Sequence, residues 1–281
     1  MLFFTFTASL CYTAIKTGLE YSPPLLFAGL RTFLGGISLI LLLIILKKPI
    51  LPRPDLIKWI FPVAVVSTTI TFGFMFSSPE FTGAGIASVL GNTQPLIIIL
   101  LAAMFLKEKI THVKIITLIL GITGIVFISA QAFLAENPNA FLGALFATGT
   151  SLGAAITAIV LKRLNPENNL ISFTGWQLIV GSLPLLAISF FYEPVSNISL
   201  TGIFISLLIF LGLVGTALNT IIWFWLLQRY DAGKLSLYLF LIPVFGLLFA
   251  FISFGETLQT FEIIGIIIVL SAIGLSIIKE Y

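Results

Sequence analysis

Residues 86–110 read "IASVLGNTQPLIIILLAAMFLKEKI", an apolar stretch that is interrupted near its middle. A helix of about 20 apolar residues crosses the hydrocarbon core of a bilayer. Asn92, Gln94 and Pro95 stand inside this stretch, and a charged run at positions 107–109 ends it. The stretch therefore predicts a membrane-spanning helix that carries a helix breaker and two amides at its centre.

The composition places the whole chain in a membrane. Of the 281 residues, 59% are hydrophobic and 9% are charged, and the mean hydropathy is +1.17. No gap between apolar stretches is long enough to hold a soluble domain, so the sequence does not predict an enzyme. It predicts an all-α integral membrane protein with ten transmembrane helices, at residues 2–19, 24–46, 58–77, 82–105, 112–131, 140–162, 170–191, 203–227, 232–254 and 261–278.

The basic residues give this arrangement an orientation. With a cytoplasmic N-terminus, twelve of the fourteen Lys and Arg residues fall on the cytoplasmic side, and the exceptions, Lys16 and Arg31, lie inside predicted helices. Such an asymmetry follows the positive-inside rule. Both termini are therefore predicted to be cytoplasmic, in a multi-pass protein of the inner or plasma membrane. The net charge of +3 reflects this topology and gives no reason to predict nucleic-acid binding.

The chain repeats itself at an offset of 148 positions. This offset places Pro95 on Pro243 and Glu108 on Glu256, inside a second stretch that reads "LSLYLFLIPVFGLLFAFISFGETL". The two copies, residues 1–132 and 139–281, each hold five predicted helices, and because five is odd the second copy must cross the membrane upside down. Inverted repeats place a substrate site near the midplane and permit alternating access. The repeat therefore predicts a transporter.

Several motifs carry a family resemblance. The segment "YTAIKTGLEYSPPLLFAGLRTFLGGISLILLL", the paired patterns "TGAGIAS...QP...LKEKI" and "YDAGKLS...IP...FGETL", and "WFWLLQRYDAG" resemble EamA-type permeases of the drug/metabolite transporter superfamily. The resemblance covers nearly the whole chain and implies a ten-helix permease that moves small metabolites, commonly outward. Two positions depart from the family pattern, since Ala8-Ser9 replaces a common Trp-Gly pair and Gly153 replaces a common Trp. Both departures bear on the substrate more than on the fold.

Polar residues inside the predicted helices are the candidates for the substrate pathway. An intramembrane charge costs at least about 2.5 kcal/mol, so Lys16 and Arg31 need a partner or water. They predict an electropositive cavity that attracts a carboxylate or phosphate. The alternative is that Lys16 extends outward and that Arg31 pairs with Glu20 or with backbone carbonyls. The candidates are Tyr12, Lys16, Arg31, Thr71, Asn92, Gln177, Asn219, Trp223 and Tyr238. For the uncharged ones, hydrogen bonding between packed helices is the alternative role.

Two further residue pairs are related by the repeat. Pro95 and Pro243 are candidates for helix bending or gating, because proline frees a backbone carbonyl one turn earlier, which in the first case belongs to Gly91. Glu108 and Glu256 would lie on opposite membrane faces, so we interpret them as structural helix-end residues that bond neighbouring backbone or anchor the following helix.

The sequence thus predicts a permease that exports or exchanges small organic metabolites, with amino acids as the leading substrate. The alternatives are a carrier of nucleotide sugars or phosphorylated metabolites and, in another class, a membrane scaffold or sensor without transport. The expected partners are the lipid bilayer and a small-molecule substrate, and a homodimer is left open. No catalytic residue, metal site or cofactor is predicted, and the lone Cys11 excludes an intrachain disulfide.

Overall fold

The computed structural model describes residues 1–82, 90–128, 140–194, 198–254 and 260–279. These residues contain helices and no strand. The helices are α1 (Leu2–Gly18), α2 (Pro24–Ile45), α3 (Pro54–Ala64), α4 (Thr71–Thr82), α5 (Gln94–Leu106), α6 (His112–Ile128), α7 (Ala140–Leu164), α8 (Leu170–Tyr192), α9 (Gly202–Phe210), α10 (Asn219–Arg229), α11 (Ala232–Leu237), α12 (Leu241–Phe254) and α13 (Thr260–Lys279).

At three junctions the chain passes from one of these helices to the next through another helical segment without interruption. A π-helical segment, Val65–Ile70, joins α3 to α4, and a second one, Leu211–Leu218, joins α9 to α10. A 3₁₀ turn, Tyr238–Phe240, joins α11 to α12. The chain therefore continues as helix through each of these junctions.

Seven helical stretches in the described residues are long and apolar enough to cross a membrane. Two more helices, α5 and α6, are apolar but shorter. The predicted all-helical membrane protein is confirmed at this level, and most helix bounds follow the predicted ones closely. The count of ten spans and the inverted repeat stay predictions.

The start of α2 illustrates how local sequence and distant residues act together. Pro24 occupies the first turn, where its missing N–H costs nothing because the first N–H groups of a helix have no intrahelical partner. The next two N–H groups, of Leu25 and Leu26, donate to the two carboxylate oxygens of Glu193 at 2.8 and 2.9 Å. Glu193, which follows α8, therefore caps α2 and joins the two helices.

The stretch that contains Pro95 differs from the predicted bent helix. Asn92 and Thr93 form a turn, and α5 begins only at Gln94, so Pro95 lies in the first turn of a new helix. The hydroxyl of Ser151, on α7, lies 2.7 Å from the carbonyl oxygen of Gly91, the group that was predicted to lack its helical partner. Because this carbonyl is satisfied by another helix, the chain breaks here at little cost.

Pro243 stands in an equivalent setting. It occupies the first turn of α12, directly after the 3₁₀ turn Tyr238–Phe240. Both prolines thus lie in the first turn of an α-helix that follows an interruption of α-helical geometry, a position where proline is favoured. A turn separates the residues before Pro95 from α5, and the role of the two prolines in bending or gating stays a prediction.

Glycines allow the closest approach between helices. The two helix pairs with the most extensive contact are α2 with α8 and α6 with α13. In the second pair a Cβ atom on Gly265 would lie 2.5 Å from the carbonyl oxygen of Gly124 and 2.9 Å from the backbone nitrogen of Ile128. Both are backbone atoms that cannot move aside by rotating a side chain, so this contact requires glycine.

We expect Gly265→Ala to lower the free energy of unfolding by about 1–3 kcal/mol, the usual cost of forcing extra atoms into a packed contact. Gly274→Ala is the matched control, because it lies on the same helix and a Cβ there meets no atom within 4 Å. Thermal unfolding in detergent measures both variants. Equal melting temperatures for the two would contradict the contact between α6 and α13.

Candidate functional site

One large cavity lies among the helices, with a volume of about 540 Å³. We call it the main cavity. Its wall combines residues of α1, α2, α4, α7, α10 and α12 with residues of both π-helical segments. Six of the residues predicted from sequence line it, namely Arg31, Thr71, Asn92, Asn219, Trp223 and Pro243. The structure thus brings together residues from both halves of the chain.

Arg31 is the charged residue among the described residues that line the main cavity. It is 2% exposed. Its Nε donates to the hydroxyl of Thr216 at 3.0 Å, and its guanidinium carbon lies 5.2 Å from the centroid of the Phe72 ring and 5.7 Å from that of Phe76. The guanidinium is therefore fixed by a hydroxyl and two aromatic rings, and it joins α2 to the second half of the chain.

Asn219 and Trp223 form the neighbouring wall, one turn apart on α10. The hydroxyl of Thr7, on α1, donates to Oδ1 of Asn219 at 2.6 Å, and both residues are buried. This bond fixes the Asn219 amide against α1. The Trp223 ring stacks on Phe4 with 5.4 Å between centroids, which gives the cavity an aromatic wall beside the amide.

The first half of the chain provides a similar polar wall. Thr71 lines the cavity, and its hydroxyl donates to the carbonyl oxygen of Val66 at 2.7 Å, five residues earlier. This bond spans the end of the π-helical segment Val65–Ile70, whose wider turn leaves carbonyl groups for side chains to reach. Ser67 and Met75 line the cavity beside it.

Gln177 lies outside this lining. It is fully buried, and its Nε2 donates to the hydroxyls of Thr68 at 2.6 Å and Ser67 at 3.3 Å. Thr68 belongs to the first half of the chain and Gln177 to the second. Gln177 therefore contacts the cavity wall from behind, through Ser67, which lines the cavity, and Thr68, the next residue.

Four other predicted site residues also lie away from the lining. Lys16 is exposed at the end of α1, Tyr238 packs with the hydrophobic cluster of α6 and α13, Pro95 is buried at the start of α5, and Glu108 follows α5. Of the remaining two, the side chain of Tyr12 and the whole of Glu256 lie outside the described residues.

Sequence reasoning missed several lining residues. Cys11, Ser67, Thr150 and Thr157 line the cavity, and so does Ser9, which the sequence singled out only as a departure from the family pattern. Serine and threonine are common in membrane helices as packing residues. The residue type therefore did not indicate which of these residues line the cavity. Only their position relative to the other helices indicates it.

Glu108 forms an unexpected link between the two halves. Lys107 adopts a left-handed conformation (φ 58°) at the end of α5, and this turn aims Glu108 away from its own helix. The Glu108 carboxylate accepts the N–H groups of Ala232 and Gly233, at 2.9 and 3.0 Å, and pairs with Lys162 at 2.9 Å. It caps α11, which is far away in the sequence, and does not anchor the helix that follows it.

A second ion pair lies beside this one. Lys114 is 4% exposed and pairs with Asp231 at 2.9 Å. Burial alone would raise the pKa of the Asp231 carboxyl, but hydrogen bonds from the Lys114 ammonium and the backbone N–H of Lys234 lower it to about 2. We call Glu108, Lys114, Lys162 and Asp231 the ion-pair cluster. It joins α5, α6, α7 and α11 at one end of the molecule.

The described residues contain no group of three or more His, Cys, Asp or Glu side chains that could hold a metal ion. The main cavity combines one guanidinium, several amides and hydroxyls, and the aromatic rings of Phe4, Phe72 and Trp223. Such a lining fits a small organic molecule that carries a negative group and an apolar part.

Known proteins resemble this chain over nearly its whole length. The model of the EamA-like transporter family matches residues 1–130 and 141–278. The uncharacterized transporter YoaV of Bacillus subtilis is 29% identical over 92% of this chain and 88% of its own length. The uncharacterized transporter YvbV of the same organism is 32% identical over 92% of this chain and 84% of its own length.

Two more comparisons bear on function and fold. A probable amino-acid metabolite efflux pump of Salmonella typhimurium is 27% identical over 95% of this chain and 89% of its own length. One solved crystal structure matches 99% of this chain and 98% of that chain with a TM-score of 0.85 at 17% identity, a likeness that concerns the fold alone.

Proposed function

Because the chain belongs to the EamA-like transporter family, we propose that it exports or exchanges small organic metabolites, amino acids first among them, across the cell membrane by alternating access. Members of this family are transporters and not enzymes, and the relatives of this multi-pass membrane protein are named transporters or efflux pumps. Beyond membership of the family, we propose that the substrate is an amino acid and that the membrane is the plasma or inner membrane.

The observation that carries the proposal is the placement of Arg31 in the main cavity. The volume of about 540 Å³ lies within the range of small-molecule sites, which is about 300–1,000 Å³. In such a water-poor space a guanidinium attracts a carboxylate strongly. The aromatic side chains of Phe4, Phe72 and Trp223 offer an apolar surface to the rest of the molecule. An amino acid with an apolar side chain matches both features.

We further propose that the two halves, residues 1–132 and 139–281, are inverted repeats with five transmembrane helices each. The family model matches two segments that nearly coincide with these halves. The π-helical segments support the same relation, because Val65–Ile70 and Leu211–Leu218 end at residues that differ by the repeat offset of 148. The next residues are Thr71 and Asn219, both in the cavity wall.

Two hydrogen bonds support the symmetry between halves. Arg31 of the first half donates to Thr216 of the second, and Gln177 of the second half donates to Thr68 of the first. Thr68 and Thr216 are related by the offset of 148, and Arg31 and Gln177 by an offset of 146. Each half therefore places a long polar side chain that donates a hydrogen bond to the equivalent threonine of the other half.

The ion-pair cluster supports a closed pathway at one end. On α7 the cavity-lining residues run from Ala147 to Thr157, while Lys162 lies in the last turn beyond them. Likewise Asp231 precedes α11. Along α11, the following 3₁₀ turn and α12, the residues that line the cavity begin only at Leu239. In the predicted topology the cluster lies at the cytoplasmic face. We therefore interpret this conformation as closed toward the cytoplasm.

A screen for metabolite resistance and efflux in overexpressing cells tests the function. We expect tolerance of toxic amino-acid concentrations and faster efflux of labelled L-leucine. Flux of phosphorylated compounds only would replace the proposed substrate class. Unchanged resistance and efflux for every metabolite tested would contradict export.

The proposed topology makes a separate prediction. In a Cys11→Ala background, a cysteine at position 136 should react with a membrane-impermeant maleimide in intact cells, whereas one at position 53 should react only after the membrane is opened. The reason is that an odd number of crossings separates the two positions. Labelling of both positions from the same side would contradict the ten-helix arrangement.

A further inference from the structure

A second, smaller cavity lies between α3 and α7, with a volume of about 170 Å³. We call it the side pocket. Six apolar residues and one threonine line it, namely Trp59, Pro62, Val63, Val66, Ile156, Thr157 and Val160. Trp59 is 38% exposed and Ile156 is 36% exposed, so the pocket is open at the outer surface. Because both of its walls belong to helical stretches long and apolar enough to cross a membrane, this opening faces lipid.

The side pocket lies where two helices separate. α4 packs extensively along α7, whereas α3 has little contact with α7 and packs against α8 instead. Two features of the sequence account for this change of direction. Pro62 lies inside α3 and removes an N–H donor, and a π-helical segment begins at Val65. Proline and π-helical turns are usual causes of a bend in a helix. The bend leaves a wedge-shaped gap between α3 and α7.

The two walls of this gap run in opposite directions. Gly149 of α7 contacts Phe74 of α4, where a Cβ atom on the glycine would lie 2.6 Å from the ring. Further along α7, a Cβ atom on Gly153 would lie 3.4 Å from the carbonyl oxygen of Val66. Later residues of α7 therefore lie beside earlier residues of α3. Beyond the side pocket, the last turn of α7 and the first turns of α3 are at the same end of the molecule.

Two basic residues stand at this end of the side pocket. Lys58 lies four residues before Pro62, and Arg163 lies three residues after Val160. Residues three or four apart share a face of a helix, so each cation stands one turn beyond the pocket on the face that lines it. Both are exposed, and neither forms an ion pair with a residue that the structure describes. An apolar cleft thus ends between two positive charges.

We propose that the side pocket binds an acyl chain of an anionic phospholipid whose phosphate lies between Lys58 and Arg163. In a bilayer the acyl chains meet every exposed helix surface, and a chain that fills the gap gains dispersion contacts with both walls. A phosphate accepts charge-assisted hydrogen bonds from both cations, and basic pockets between membrane helices suit anionic headgroups. Thr157 lines the side pocket and the main cavity, so the bound chain contacts the cavity wall from outside.

The test uses purified protein in phosphatidylcholine vesicles that contain a minor fraction of a probe lipid with brominated acyl chains. The probe is phosphatidylglycerol or, for comparison, phosphatidylcholine. Bromine quenches tryptophan fluorescence on contact, and the difference between wild type and Trp59→Phe isolates the signal of Trp59. We expect a binding constant about 25-fold higher for the anionic probe at Trp59, because each nearby cation contributes about a fivefold preference.

Three variants locate the two parts of the site. Lys58→Gln and Arg163→Gln should each lower the preference about fivefold, and both change exposed residues, so folding should be unaffected. Val160→Phe should abolish the preference by filling the side pocket. The matched controls are Arg229→Gln, an exposed cation on α10, and Ile119→Phe, which enlarges an exposed side chain on α6. Neither control should change the preference at Trp59.

The outcomes bear on lipid binding and not on the transported substrate. Equal quenching of Trp59 by the two probes in wild type overturns the proposal. A preference that persists when Lys58→Gln and Arg163→Gln are combined overturns the headgroup site. A preference that persists in Val160→Phe overturns the acyl-chain site, because it shows attraction of the headgroup without a chain in the side pocket.

Discussion

Replacing Arg31 by glutamine is expected to reduce transport of L-leucine at low substrate concentration about 100-fold, the usual effect of removing one partner of a buried charge pair. Arg31 is 2% exposed and is the charged residue among the described residues that line the main cavity. Glutamine retains hydrogen bonding but not charge, so the loss should appear chiefly as a higher KM. Initial rates in proteoliposomes measure it.

Arg31→Lys separates charge from geometry. Lysine keeps the charge but cannot reproduce the fork that reaches Thr216 and Gly215 together. We expect a smaller loss than in Arg31→Gln. Arg229→Gln is the control, because Arg229 is exposed and stacks on Trp225 outside the cavity. Normal transport by a stably inserted Arg31→Gln variant would refute a role of Arg31 beyond folding.

Glu108→Ala is expected to lower the free energy of unfolding by about 3 kcal/mol, as for other buried ion pairs that lose one partner. The change leaves Lys162 without its carboxylate and the N–H groups of Ala232 and Gly233 without their cap. Side-chain exposures of 11% for Glu108 and 20% for Lys162 mean that water replaces little of the loss. Thermal unfolding in detergent measures the effect.

Two variants show where this cost comes from. Adding Lys162→Met to Glu108→Ala should restore part of the stability, because the uncompensated charge is removed. Asp55→Asn should change stability by less than about 0.5 kcal/mol, because its pair with Arg53 is largely exposed. A Glu108→Ala variant that unfolds at the wild-type temperature would show that the ion-pair cluster does not hold the halves together.

The sequence predicted most helices because one simple rule applies to them, namely that a helix that crosses lipid must be long and apolar. Length and apolarity alone placed α2 at 24–46 and α8 at 170–191, and the structure gives Pro24–Ile45 and Leu170–Tyr192. The rule fails where a carbonyl group can find a partner on another helix. At Gly91 the hydroxyl of Ser151 provides one, and that contact cannot be recognised from local sequence.

The candidate site was predictable where helical periodicity was enough. Thr71, Asn219 and Trp223 were predicted as pathway residues because they lie inside predicted membrane helices, and all three line the main cavity. Pairing between distant helices was not predictable in the same way. The partner of Glu108 is α11, 124 residues later, and no spacing in the sequence indicates that contact.

Gln177 shows the limit of reasoning from the repeat. The sequence predicted Gln177 in the substrate pathway together with Arg31, to which the proposed repeat relates it, yet it bonds to Thr68 and Ser67 beside the cavity wall. The proposed symmetry concerns the contact between the halves, and of these two residues Arg31 alone carries a charge that attracts anions. Repeat-related residues therefore share a structural role more readily than a chemical one.

The most direct test of transport is counterflow in proteoliposomes. Vesicles containing the purified wild-type protein are loaded with unlabelled L-leucine and diluted into a trace of labelled L-leucine. An alternating-access carrier should accumulate label transiently above equilibrium, and Arg31→Gln should reduce that peak strongly. Label that enters loaded wild-type vesicles no faster than protein-free ones would contradict the account.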